Sequence, residues 1–80
     1  MFLYALTLKN RETEVETTTT IWVYSTDVCG LNLSNFVPIW PEEERKLVGA
    51  LRRLGVDISK YREGRIDDFV EVVSVERKFA

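Results

Sequence analysis

One stretch of this chain carries a clear helical period, and it restricts what the rest can fold into. Residues 41–54 read PEEERKLVGALRRL, with Leu47, Ala50, Leu51 and Leu54 recurring at spacings of three and four. That pattern gives a helix with a single apolar stripe. Pro41 suits the first turn, where a missing N–H costs nothing. Glu42, Glu43 and Glu44 face the positive end of the helix dipole, and Arg52 and Arg53 the negative end. Gly55 is placed to end the helix in a left-handed conformation. A one-striped helix needs a single apolar surface to lie on.

The flanking segments read as sheet. In residues 2–9, Phe2, Tyr4, Leu6 and Leu8 alternate onto one face. Residues 10–13 (NRET) are turn-like, and residues 14–24 (EVETTTTIWVY) are dense in β-branched and aromatic types. The two runs form an antiparallel hairpin, with Val15, Thr17, Thr19, Ile21 and Val23 facing inward. Residues 68–79 read as a third strand, with Phe69, Val73 and Val75 alternating against Val70 and Val72. Between helix and last strand, Asp57 is placed to cap a short helix over residues 58–63 that Gly64 stops. The expected fold is therefore α+β: a β-hairpin, one long amphipathic helix and a C-terminal strand. These form a three-stranded antiparallel sheet with the helix on one face and the strand of residues 14–24 at an edge.

All 80 residues are expected to form one domain. A core this small leaves only about 3–5 kcal/mol of stability, and Cys29, the sole cysteine, excludes a disulfide within one chain. Residues 25–40 contain Gly30, Asn32, Asn35 and Pro38, so regular structure breaks down there. Leu33, Phe36, Ile39 and Trp40 nevertheless make this connector too apolar for a solvated linker. No apolar run is long enough to span a membrane, and the N-terminus lacks the basic start of a signal peptide, so the expected location is cytoplasmic.

Catalytic readings are thin. The chain has no histidine, which removes the commonest base near neutral pH and the commonest transition-metal ligand. The helix dipole accounts for Glu42–Glu44, and Asp67–Asp68 lacks the spacing of a calcium loop. Ser25, Thr26, Asp27 and Cys29 offer a thiol with no imidazole to activate it. The glycines match no phosphate-cradling motif. The expectation is a non-enzyme with no cofactor and no metal.

Binding surfaces have more support. Arg45, Lys46, Gly49, Arg52 and Arg53 lie opposite the leucine stripe. An interior glycine costs a helix roughly 1 kcal/mol against alanine, which on an exposed face suggests close approach of a partner to the backbone. The edge strand, with Trp22 and Tyr24, could accept another strand. Phe36 and Trp40 in the connector have the make-up of interface anchors. A fourth group, Lys60, Tyr61, Arg62 and Arg65, is basic but interleaved with acids.

These features point to a small protein-binding module whose partner is a larger protein or protein complex. In size and composition alone the chain is similar to small phage and viral accessory proteins that inhibit host complexes by occlusion. The alternative is a nucleic-acid-binding or regulatory protein using the helix cations and sheet aromatics, against which the net charge of −2 counts. Self-association as a homodimer is compatible with either, because it would relieve the small core and the open edge together.

Overall fold

The structure is a computed structural model, and it describes residues 1–24 and 31–79. Three strands, β1 (Phe2–Asn10), β2 (Glu16–Val23) and β3 (Val70–Phe79), form an antiparallel sheet in the order β2-β1-β3. Helix α1 (Pro41–Arg53) lies across one face, chiefly over β2, and the short helix α2 (Ile58–Arg62) follows it. The α+β arrangement expected from the sequence is the one observed. Cys29 and its neighbours Ser25, Thr26 and Asp27 lie outside the described residues.

The hairpin forms because Asn10 organises its turn. The Asn10 side-chain oxygen accepts the amides of Glu12 and Thr13, and the Asn10 amide group donates to the Leu54 carbonyl at 2.9 Å. One buried side chain thus fixes the turn and ties it to the end of α1. The chain re-enters the sheet through Glu14 at φ 63°, so β2 begins at Glu16, and Val15 is exposed rather than inward.

Both helices end in the same device. The Gly55 amide donates to Arg52 and the Val56 amide to Leu51, while Gly64 donates to Tyr61 and Arg65 to Lys60. This double closure requires a left-handed residue, and Gly55 and Gly64 sit at φ 77° and 74°. Asp57 caps α2 by accepting the Ser59 amide at 2.9 Å.

The core lies between α1 and the inner sheet face. Tyr4, Leu6 and Leu8 of β1, Ile21 and Val23 of β2, and Leu47, Ala50 and Leu51 of α1 are its centre. Leu33 and Phe36 of the connector close one end. Phe36 is only 2% exposed and meets Tyr4 edge-on at 5.7 Å, so it is a core residue and not a surface anchor. The connector is held down by Asp67, whose carboxylate accepts the amides of Leu33 and Ser34 and the Ser34 hydroxyl.

The last strand departs from the expected alternation. Thr7 pairs with Ser74 and Leu8 with Val72, leaving Val73 as the extra residue of a bulge. The bulge shifts the phase: Val70, Val72 and Val75 turn to the core side, and Val73 is exposed.

The second face of the sheet is uncovered by any described element. Leu3, Trp22 and Phe79 share a cross-strand row there, with the rings of Trp22 and Phe79 6.1 Å apart. No helix among the described residues is long and apolar enough to cross a membrane.

Candidate functional site

The helical wheel of α1 has three sectors, and the structure gives each a different environment. Leu47, Ala50, Leu51 and, unexpectedly, Glu43 are buried. Lys46 and Arg53 flank this stripe beside β2. Glu44, Arg45, Val48, Gly49 and Arg52 face away from the sheet, toward α2.

The flank residues hold the fold together. Glu43 is 3% exposed; its carboxylate accepts the Trp22 amide at 2.9 Å and pairs with Lys46 at 3.0 Å. Arg53 donates to the Thr17 hydroxyl at 3.0 Å and to the Thr18 carbonyl at 3.2 Å. The Ile39 amide bonds the Trp22 carbonyl, and the Tyr24 amide bonds the Val37 carbonyl. Backbone groups of alternate residues point to the free side of an edge strand. Along β2 these are the groups of Glu16, Thr18, Thr20 and Trp22, and the bonds just described occupy both groups of Trp22 and the Thr18 carbonyl. The edge expected to accept another strand is therefore blocked by α1 and the connector at its Trp22 end and interrupted at Thr18, a common way of protecting a sheet edge.

The outer sector is open. Between α1 and α2 runs a groove of ≈ 490 Å³ with Val48 and Gly49 at its floor and Arg45, Arg52, Arg62, Tyr61 and Glu44 around it. Among the described residues, Arg45, Arg52 and Arg62 make no ion pair or hydrogen bond, and neither does Arg77 on β3, whereas Lys9, Arg11, Lys46, Lys60, Arg65 and Lys78 are all paired. Unpaired guanidiniums around a concavity form a ready site for carboxylates, which they bind bidentately.

The sequence-derived candidates thus separate. Arg45, Gly49 and Arg52 share the groove, and Trp40 stands at its end, in an adjoining depression lined by Val37, Pro38, Ile39, Glu44 and Tyr61. Arg53 is engaged with β2, and Lys46 pairs with Glu43 of its own helix. Trp22 lies on the opposite sheet face, Tyr24 is exposed beyond the end of β2, and Phe36 is in the core. Of the basic group 60–65, Tyr61 and Arg62 join the groove, whereas Lys60 lies over the Phe69 ring at 5.4 Å and Arg65 pairs with Asp68. Sequence reasoning did not join Arg62 and Tyr61 to α1, because two helices separated by a left-handed turn have no shared period.

Tyr61 reports on this groove. Burial pushes its phenol above the ordinary value of 10.0, and the Glu44 carboxylate adds to the shift. A raised folded value means that the neutral phenol is favoured, so this contribution to stability is complete below the unfolded pKa. It is lost as pH rises through the folded one. Glu44→Gln is expected to lower the midpoint of Tyr61, followed by NMR of its ring carbon, without restoring the ordinary value, since burial is the larger cause. An unchanged midpoint would remove Glu44 from the groove wall.

Gly49 is not required by packing. A methyl group there would meet only the Arg53 Nη1, at an ordinary 3.9 Å. Gly49→Ala should therefore raise the unfolding free energy by about 0.5–1 kcal/mol in urea titration. Destabilisation would show that the helix backbone is distorted at this point.

Among the described residues, no group of three or more His, Cys, Asp or Glu side chains is arranged to hold a metal ion. Comparison of the chain with protein families, with curated proteins and with solved structures finds no match.

Proposed function

We propose that this chain is a non-enzymatic protein-binding module that acts by covering a surface of a larger protein or complex with the outer face of α1. The observation that carries this reading is the segregation of charge. Six other Lys and Arg side chains form ion pairs. Of the four guanidiniums without a partner among the described residues, those of Arg45, Arg52 and Arg62 converge on one groove beside an exposed tryptophan, and only Arg77, on β3, lies apart. Arginine and tryptophan are the side chains that dominate protein interfaces.

A nucleic-acid partner fits this surface less well. Glu42 and Glu44 interrupt the basic stripe at the N-terminal end of α1, where a phosphate backbone would need it to continue. Affinity capture from a nuclease-treated lysate over a salt series tests the choice. A protein partner should survive nuclease and lose affinity shallowly with salt. Capture that disappears with nuclease, or a logarithmic salt slope near about −3 as for three neutralised phosphates, would replace this reading with the nucleic-acid one.

A further inference from the structure

The arginine groove and the Trp40 depression are continuous: Glu44 and Tyr61 line both. One end is cationic and the other apolar, with Val37 and Trp40 exposed beside Pro38. The apolar end is also held in place before anything binds. The bonds from Tyr24 to Val37 and from Ile39 to Trp22 fix its backbone, and the Trp40 carbonyl accepts the first amides of α1. A surface ordered in advance spends little of its binding energy on rearrangement.

We propose that the two depressions together read a linear segment of a protein in which one apolar side chain stands close to two carboxylates. The proposal rests on the protein-binding reading and adds the chemistry of the segment. The apolar side chain lies against Trp40 and Pro38, and the carboxylates meet Arg45 and Arg52, with Arg62 across the groove. Glu44, at the junction of the two, repels an acid there and so sets the order of the groups. The spacing follows from geometry. At about 1.5 Å rise per residue, Arg45 stands roughly 7 Å along the helix from Trp40, and Arg52 roughly 18 Å. An extended segment advances about 3.3 Å per residue. The two acids therefore fall about two and about five residues from the apolar position.

The test is selection of random dodecapeptides, displayed on phage, against the intact chain. Enriched peptides should share an apolar residue with acids at those distances. Changing the apolar residue of a selected peptide to serine should weaken binding roughly tenfold, and Trp40→Ala should remove that difference. Val37→Ser, which leaves the helix cap untouched, provides the same comparison if Trp40→Ala does not fold. Changing the acids to amides should likewise couple to Arg45→Gln and Arg52→Gln. No enrichment, enrichment of basic or wholly apolar peptides, absence of coupling, or tighter binding of a single-stranded DNA oligonucleotide than of the best peptide would each overturn the inference. If cellular capture depends on Arg45 and Arg52 and yet no such peptide is selected, this inference fails and the protein-binding reading stands. If capture is indifferent to both arginines, both fail.

Discussion

Replacing Glu43 by alanine lowers the unfolding free energy by about 2–3 kcal/mol, the range for losing a hydrogen bond to a buried charged group. In a domain of this size that is a large share of the roughly 3–5 kcal/mol available. The carboxylate has two partners of unequal weight. The Trp22 amide at 2.9 Å loses its acceptor within the fold once the side chain is gone, while Lys46 keeps half its side chain in water. The amide bond therefore carries the larger part. Glu43→Gln retains an oxygen for the amide and should recover most of the loss. Lys46→Ala should cost less than about 1 kcal/mol, as for exposed pairs. Removal of Glu43 also uncovers the edge of β2 at Trp22, so the alanine variant should self-associate with rising concentration where the glutamine variant does not. Urea unfolding with light scattering reads both effects. Equal losses for alanine and glutamine would refute the edge-cap role.

Arg45→Glu combined with Arg52→Glu should weaken partner binding at least about a hundredfold, close to 3 kcal/mol. Both side chains are exposed and make no bond within the described fold. Reversal turns two attractions at the groove into repulsions and disturbs no packing. The stability cost should stay within about 1 kcal/mol, most of it from a carboxylate near the C-terminal end of the helix dipole. The pair Arg52 and Arg53, adjacent in sequence, is a poorer choice. Arg53 holds Thr17 and Thr18, so its reversal would damage the fold and the surface together. Titration calorimetry with the captured partner, alongside thermal unfolding, separates the two effects. Full affinity in the double variant would exclude the groove as the docking site.

The partly blocked edge of β2 also bears on self-association. A second copy pairing strand to strand there would have to displace Glu43, Arg53 and residues 37–39. The other edge, β3, carries bulges at Val73 and Lys78, which twist an edge away from regular pairing. Edge-to-edge dimerisation is thus opposed on both sides, although the sheet face with Trp22 and Phe79 is uncovered by any described element. Gel filtration with light scattering at micromolar concentration should accordingly show no continuous-sheet dimer, and a two-fold pairing through β2 in solution would contradict the edge geometry.

Local chemistry made much of this fold legible in the sequence. The helix with Pro41 at its start and Gly55 after its end, the Asp57 cap and the Gly64 stop each depend on residues within a few positions, so short-range patterns suffice. The same holds for the inward faces of β1 and of β2 from Thr19 to Val23, where a period of two reports burial directly. The alternation in β3 was misleading because a bulge is a relation between two strands: nothing in residues 70–79 alone says that Val73 lacks a partner. Glu43 looked like one of three dipole-facing acids and became a buried clamp, since only the docking of α1 on β2 puts the Trp22 amide beside it. The basic face of α1 was visible as a set of five residues. Its division into Lys46, paired with Glu43, and Arg53, bound to β2, on one side, and Arg45, Gly49 and Arg52, open with Arg62 and Tyr61, on the other, was decided by tertiary structure. Periodicity fixes which way a side chain leaves its helix, whereas the charge it meets belongs to whichever element packs beside it.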